Sequence, residues 1–162
     1  MSEIWDLVDE FGNKTGMTCT RADQSTIPSG LYHPCVEVWV RSEDKLLITR
    51  RHPDKSEGLK YDCPGGAVLH GESILDGALR ELYEETGIRA ERDRLKYLGA
   101  LTGRTAYAVS YVVHLDYMPE ISLQPTEVVG YSFVTREQLE DMAEELTYGT
   151  WARYNIYKTM LF

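Results

Sequence analysis

Hydrophobic positions along this chain follow two periods. Val36, Val38 and Val40 of CVEVWV alternate with polar or differently facing neighbours, the period-two signature of a strand, and Lys45 to Arg50 repeats it after the turn RSED. The two runs predict an antiparallel pair. Upstream, Trp5–Asp9 and Lys14–Cys19 flank EFGN and predict a hairpin. Leu95–Leu101, Tyr107–Leu115 and Val128–Val134 read as further strands, the last two rich in β-branched and aromatic residues. Between 74 and 86 the period changes to that of a helix. Leu75, Ala78, Leu79, Leu82 and Thr86 fall on one stripe, Ser73 with Asp76 makes a capping-box-like start, and Gly87 is a stop. Thr135 with Gln138 opens a second helix through about Leu146, and Trp151–Leu161 a last one. Residues 51–66 are polar and punctuated by Pro and Gly, hence a loop. The order strands, helix, strands, helices predicts an α/β sandwich with a mixed sheet.

At 162 residues, this is the length of a single domain, with residues 1–30 as an N-terminal hairpin extension and 147–162 as a C-terminal helix. The net charge of −9 argues against a nucleic-acid polymer as partner, since that binding is driven by Lys and Arg neutralising phosphates. An anionic small molecule would need a cation to help. The start MSEIWDLVDE lacks the basic and apolar regions of a signal, and no apolar run is long enough to span a bilayer, so no membrane partner and a cytoplasmic location are expected. Cys19, Cys35 and Cys63 are odd in number and lack CxxC spacing, which predicts reduced thiols.

The helix carries a conflict. With Glu81 set at zero, Glu84 falls near ~300° and Glu85 near ~40°, beside a stripe centred at about 120°. Three carboxylates on one arc repel one another, by a few tenths of a kcal/mol per pair even when solvated. A solvated acidic face is the ordinary explanation. The preceding Pro64-Gly65-Gly66 favours another, because backbone without Cβ lets main-chain groups approach a ligand, and carboxylates with a carbonyl are the hard oxygen ligands Mg²⁺ prefers.

The stretch from Gly66 to Ile88, GAVLHGESILDGALRELYEETGI, resembles the box of the Nudix hydrolases, GX5EX7REUXEEXGU with U apolar. Gly66, Glu72, Arg80, Glu81, Leu82, Glu84, Glu85, Gly87 and Ile88 fill every defined position. The resemblance implies a Nudix-type α/β/α sandwich whose loop–helix–loop binds Mg²⁺, with Mn²⁺ as a substitute, and a substrate in which a nucleoside diphosphate is joined to another group. It implies metal ligands at Glu81, Glu84 and Glu85, with Gly65 as a further one through its carbonyl, and Glu72 and Arg80 as a supporting charged pair. Water would attack phosphorus while a carboxylate took its proton.

Flanking residues point to a branch. EIWDLVDEFGNKTG, GLYH and the spacing of Arg51 to Lys55 are similar to the isopentenyl-diphosphate isomerase-like proteins, in which the latter two positions face substrate diphosphate. Isomerase is therefore the rival activity. Yet Gly65-Gly66-Ala67 stands where the isomerases carry Cys-Gly-His, Cys63 lies two residues too early, and GRTAYAVSYVVHLD lacks their strand glutamates. A non-catalytic ligand-binding module is a third reading, against which every box glutamate is present. Arg51 is expected to contact phosphate and Glu127 to reach the metal site as a candidate base; His33 is read as a hydrogen-bonded structural residue rather than a ligand as in the isomerases, and Trp5, Trp39, Tyr107 and Trp151 as core or interface residues rather than base-stacking ones. The substrate's identity and a homodimer both stay open.

Overall fold

The computed structural model describes residues 2–162. Strands β1 (Ile4–Val8) and β2 (Lys14–Thr20) form the expected hairpin. Its turn is organised by Asp9, whose Oδ1 accepts from the main-chain N–H of Phe11 and of Asn13, both at 2.9 Å. Gly12 at the tip has φ 83°, and a Cβ there would sit 2.8 Å from the hydroxyl of Tyr107. Glycine is thus required twice, once by dihedral and once by the neighbour. Trp5, Leu7 and Val8 are buried, and Val8 exchanges two main-chain hydrogen bonds of 2.9 Å with Tyr32, which seats the hairpin on the body of the protein.

Seven strands form the main sheet: β3 (His33–Ser42), β4 (Lys45–Arg51), β5 (Tyr61–Asp62), β6 (Gly65–Ala67), β7 (Lys96–Thr102), β8 (Ala106–Leu115) and β9 (Val128–Thr135). β3 runs parallel to β8 over ten paired residues, and the remaining pairings are antiparallel, so the sheet is mixed. The expected β3–β4 pair exists only beside its turn, at Arg41↔Leu46 and Ser42↔Lys45. Beyond it the strands fork. β6 takes the vacated edge of β3 and β5 that of β4, so residues 61–65, read as loop from their composition, are wedged into the sheet. A Cβ on Gly65 would fall 2.0 Å from the Val36 carbonyl oxygen, which is why the wedge can be made only of backbone.

One face of the sheet buries Val36, Val38, Val40, Val109 and Val113 under α1 (Ile74–Thr86), through Ala78 and Leu82. The other buries Trp39, Leu46 and Ile48 under α2 (Arg136–Asp141) and α3 (Tyr148–Leu161), through Leu139, Tyr154 and Leu161. This is a three-layer α/β/α sandwich. The capping box of α2 forms as expected at Thr135 and Gln138, but the helix ends at Asp141 and a 3₁₀ turn, Ala143–Glu145, replaces its predicted continuation. α3 begins three residues earlier than expected, because Thr147 caps it by accepting from the Thr150 N–H at 3.2 Å.

Beneath α3 lies a charged pair the sequence did not announce. Glu37 is 4% exposed and accepts from Trp39 Nε1 at 2.9 Å, Ser110 Oγ at 2.6 Å and Arg153 Nε at 2.6 Å. Burial pushes its carboxyl above the ordinary range while Arg153 opposes the shift. Three donors, one of them a guanidinium, meet this carboxylate, which is what makes a buried charge tolerable.

His33 is structural here. Its ring stacks on Trp5 at 4.3 Å between centroids, Gln24 Nε2 lies 3.0 Å from its Nε2, and its buried Nδ1 has no partner. Burial depresses its pKa, with Arg21 adding to the effect. The unfolded chain then takes up a proton at His33 more readily than the folded one, so stability should fall as pH drops from about 6.5 through the lower folded value. Thermal unfolding followed by tryptophan fluorescence between pH 7.5 and 5 checks this: His33→Asn should flatten the dependence, and an unchanged slope refutes the assignment.

Candidate active site

Helix α1 is fixed at both ends by local chemistry. Ser73 Oγ accepts from the Asp76 N–H at 3.1 Å, and Gly87, at φ 75°, turns the chain and donates to the Tyr83 carbonyl at 2.7 Å. Between these caps Arg80, Glu81, Glu84 and Glu85 face the wedge of β6. Gly66 is the point of closest approach: a Cβ there would lie 2.6 Å from the Glu81 carboxyl carbon.

Glu85 is 5% exposed and accepts from the Gly65 N–H at 3.1 Å. Burial pushes its pKa up to about 8, opposed by the Gly65 amide and reinforced by the charge of Glu81. Glu81 is shifted upward too, again first by burial, with Arg80 pulling the other way. Glu72 shows the opposite balance. Burial alone would raise it, but the hydrogen bonds from Arg80 and from the Leu69 amide hold it below the usual range. Arg80 is the hub. Its Nε and Nη2 grip the two oxygens of Glu72 at 2.7 and 3.0 Å, Nη2 also reaches the Ala67 carbonyl at 2.9 Å, and Nη1 touches Glu81 at 2.7 Å and Glu84 at 3.1 Å. The forked grip on Glu72 aims the guanidinium at the acids.

Arg80, Glu81, Glu84 and Glu85 line a cleft of 90 Å³. Lys55, ion-paired to Glu127, and Gln124 line the same cleft. The His52 N–H donates to the Glu127 carbonyl at 2.9 Å, tying together the two loops that carry this pair. The rim is closed by Glu3 and Arg21 of the hairpin, joined at 2.7 Å.

The structure therefore brings Gly65, Gly66, Arg80, Glu81, Glu84, Glu85, Lys55 and Glu127 together, with Glu72 behind Arg80. Arg51 stands apart. Its guanidinium, expected to contact phosphate, donates to Asp62 at 2.6 Å and to the Ser56 carbonyl at 2.9 Å. The bulge between β4 and β9 lies on β9, where Val129 is passed over between the pairs Arg50↔Gly130 and Arg51↔Val128, and Asp62 of the adjoining β5 takes up the guanidinium. Glu3, Arg21 and Gln124 were not foreseen, because they arrive through the hairpin and through a loop with no local signature.

Among the described residues, no three His, Cys, Asp or Glu groups converge closely enough to hold a metal as they stand, and Arg80 Nη1 lies between Glu81 and Glu84. The donor chemistry nonetheless fits a hard divalent cation. All candidate ligands are oxygens, and two of the carboxyls are buried with pKa values raised by desolvation, a penalty that a cation would offset.

The NUDIX domain family profile matches residues 31–159. The chain belongs to the Nudix hydrolases. An uncharacterised Nudix hydrolase of Streptomyces coelicolor is 35% identical over 150 residues, covering 85% of this chain and 77% of the relative. The isopentenyl-diphosphate delta-isomerase of Schizosaccharomyces pombe is 31% identical over 92% of this chain and 77% of its own. An RNA pyrophosphohydrolase of Novosphingobium aromaticivorans is 44% identical over 61 residues, 37% of each chain. Among solved structures, a Deinococcus radiodurans protein superposes with a TM-score of 0.67 at 27% identity, covering 88% of this chain and 89% of that one. The Nudix profile starts at residue 31, so the hairpin that supplies Glu3 and Arg21 lies outside the matched region of this Nudix protein.

Proposed function

We propose that this protein hydrolyses the diphosphate linkage of a small molecule, a nucleoside diphosphate joined to a second group, using Mg²⁺ or Mn²⁺ held by Glu81, Glu84 and Glu85 with the Gly65 main chain beside them. The observation that carries the reading is the gathering of Glu81, Glu84 and Glu85 in one cleft with Lys55 and Glu127. When bound, the divalent cation neutralises charge on the diphosphate oxygens and makes water a competent nucleophile near neutral pH. The chain's own part is positioning. Arg80, clamped by Glu72, holds Glu81 and Glu84 and must yield those two contacts when they turn to a ligand, keeping its grip on Glu72 and the Ala67 carbonyl. Lys55 and Arg21 bring two cations to the cleft for phosphate oxygens. Glu127, which lines the same cleft, is the carboxylate we assign to accept the proton of the attacking water.

The isomerase reading draws support from the yeast relative and the hairpin. Against it stands Cys63, which is 4% exposed in the core beneath α3 and does not line the cleft. Its thiol is raised well above the ordinary range by burial, with Glu37 and Asp62 adding to the effect, so thiolate chemistry is disfavoured. Two assays decide. A panel of nucleoside diphosphate conjugates incubated with Mg²⁺ should release monophosphate products, and isopentenyl diphosphate should give no dimethylallyl product. Cys63→Ser should retain hydrolysis within about threefold, since phosphoryl transfer to water needs no sulfur. Abolished turnover in a folded variant would instead revive the isomerase reading. Among the described residues no helix is long and apolar enough to cross a membrane.

A further inference from the structure

Arg51 precedes Lys55 by four residues, yet Lys55 lines the cleft and Arg51 does not. Its side chain is 19% exposed, and each of its three guanidinium nitrogens has a partner within the protein. Nη1 donates to Asp62 Oδ2 at 2.6 Å, Nε to the Ser56 carbonyl at 2.9 Å and Nη2 to Ser56 Oγ at 3.4 Å. Asp62 is itself fixed. Its Oδ1 accepts from the Cys63 N–H at 2.9 Å and from the hydroxyl of Thr150 in the first turn of α3, which leaves Oδ2 for the arginine. The guanidinium therefore joins β5 to Ser56, the residue directly after the cleft lysine.

The loop it braces, residues 52–60, holds an unfavourable shape. Glu57 and Leu59 have φ of 51° and 67°, left-handed values that residues with a side chain seldom adopt, and a Cβ on Gly58 would fall 2.3 Å from the Pro53 carbonyl oxygen. Such a conformation persists only where its surroundings over-determine it. Arg50 Nε holds the Leu59 carbonyl at 3.0 Å, and the Glu57 carboxylate accepts from the Tyr148 N–H at 3.1 Å at the start of α3. Both of these anchors act two or more residues beyond Lys55, whereas Arg51 grips the very next one. Lysine is a compact charge on a flexible stem, so where its ammonium dwells depends on how firmly the main chain beneath it is held.

We propose that Arg51 is a positioning residue: clamped by Asp62, it holds the loop at Ser56 so that the Lys55 ammonium stays in the cleft, and it makes no phosphate contact of its own. The consequence for substrate rests on the hydrolase reading, whereas the ordering of the loop does not.

The test uses Arg51→Met, Asp62→Asn, Lys55→Met and the double variant Arg51→Met/Lys55→Met. Asp62→Asn keeps an acceptor for the Cys63 N–H and removes the charge that clamps Arg51, so it serves even if Arg51→Met fails to fold. Without ligand, amide hydrogen exchange of residues 54–59 should quicken by about tenfold or more in both variants, with exchange in α1 unchanged. With ADP-ribose or UDP-glucose and Mg²⁺, both should raise KM by about 5- to 30-fold with kcat within about threefold, and Lys55→Met should do the same. Adding Arg51→Met to Lys55→Met should change KM by less than about twofold, because Arg51 has no other route to the substrate. A general loss of stability would produce neither that split nor that non-additivity. Unchanged exchange at residues 54–59 would overturn the proposal. So would KM effects that multiply in the double variant, or a lowered KM in Asp62→Asn, each the mark of a guanidinium that meets phosphate itself. If wild type turns over neither conjugate, the failure is that of the hydrolase reading, and exchange still decides the loop: faster exchange supports the role of Arg51 and unchanged exchange refutes it.

Discussion

Glu85→Gln is expected to lower kcat by at least about 10² with Mg²⁺ saturating, and to leave the metal-free protein as stable as wild type or more so. The two halves have one cause. Glu85 is buried, and desolvation has pushed its carboxyl up to about 8, so the folded protein bears an unfavourable group that an amide of the same shape would relieve. The amide oxygen can still accept from the Gly65 N–H, so packing against β6 survives. It cannot supply the negative charge that holds a divalent cation in the transition state, and losses of that kind appear in kcat. Glu84→Gln should cost a similar factor in rate. Its side chain is 44% exposed, so no gain in stability is expected from it. Kinetics and thermal melts of both variants, with and without EDTA, give the answer. Wild-type turnover in Glu85→Gln, or full wild-type activity in EDTA, would sink the metal assignment. A lower melting temperature in metal-free Glu85→Gln would mean the carboxylate holds the fold together instead.

What could be read from the sequence, and what could not, divides by the range of the interactions involved. α1 was legible to the residue, because Ser73 and Gly87 set its ends through main-chain chemistry within a few positions. The acids of that helix were legible as a conflict, and the conflict is real: Arg80 is drawn between Glu81 and Glu84, and Glu85 is forced into a buried site. Strand positions were legible from alternation, but partners were not. Nothing in CVEVWV says that β3 will run parallel to β8, or that Pro64-Gly65-Gly66, which has every mark of a loop, will enter the fork between β3 and β4 as a strand. Gly65 had the signal in hindsight, as a residue needed where a backbone must touch a backbone. Arg51 is paired with Asp62, whose place beside β4 no local pattern encodes. Arg21 and Glu3 reach the cleft only because the hairpin folds over it, and the pair Glu37–Arg153 joins residues 116 positions apart.

Glu127→Gln is expected to lower kcat by about 10 to 10³ with little change in melting temperature. From the sequence Glu127 was a loose candidate, a carboxylate just before the last strand. The structure adds its setting: it lines the same cleft as Glu81, Glu84 and Glu85, and its side chain is ion-paired to Lys55. Its main chain is tethered on both sides, by its own N–H to the Gln124 carbonyl at 2.9 Å and by the His52 N–H to its carbonyl at 2.9 Å. A carboxylate on a tethered loop that lines a narrow cleft is well placed to take a proton from water. The ion pair itself suggests another role, in which Glu127 only holds Lys55 in position for phosphate. The two roles separate in a double-mutant cycle with Lys55→Met. If Glu127 is the base, Glu127→Gln should reduce kcat by the same factor whether or not Lys55 is present, while Lys55→Met acts mainly on KM. If Glu127 merely positions Lys55, each single variant should show the same KM defect, and the double variant should be no worse than either. Amide replacement of a base also removes the acidic limb of the pH–rate profile, which replacement of a positioning residue does not. A kcat defect that vanishes in the Lys55→Met background would return the proton to one of the box glutamates, leaving Glu127 as the partner that holds Lys55.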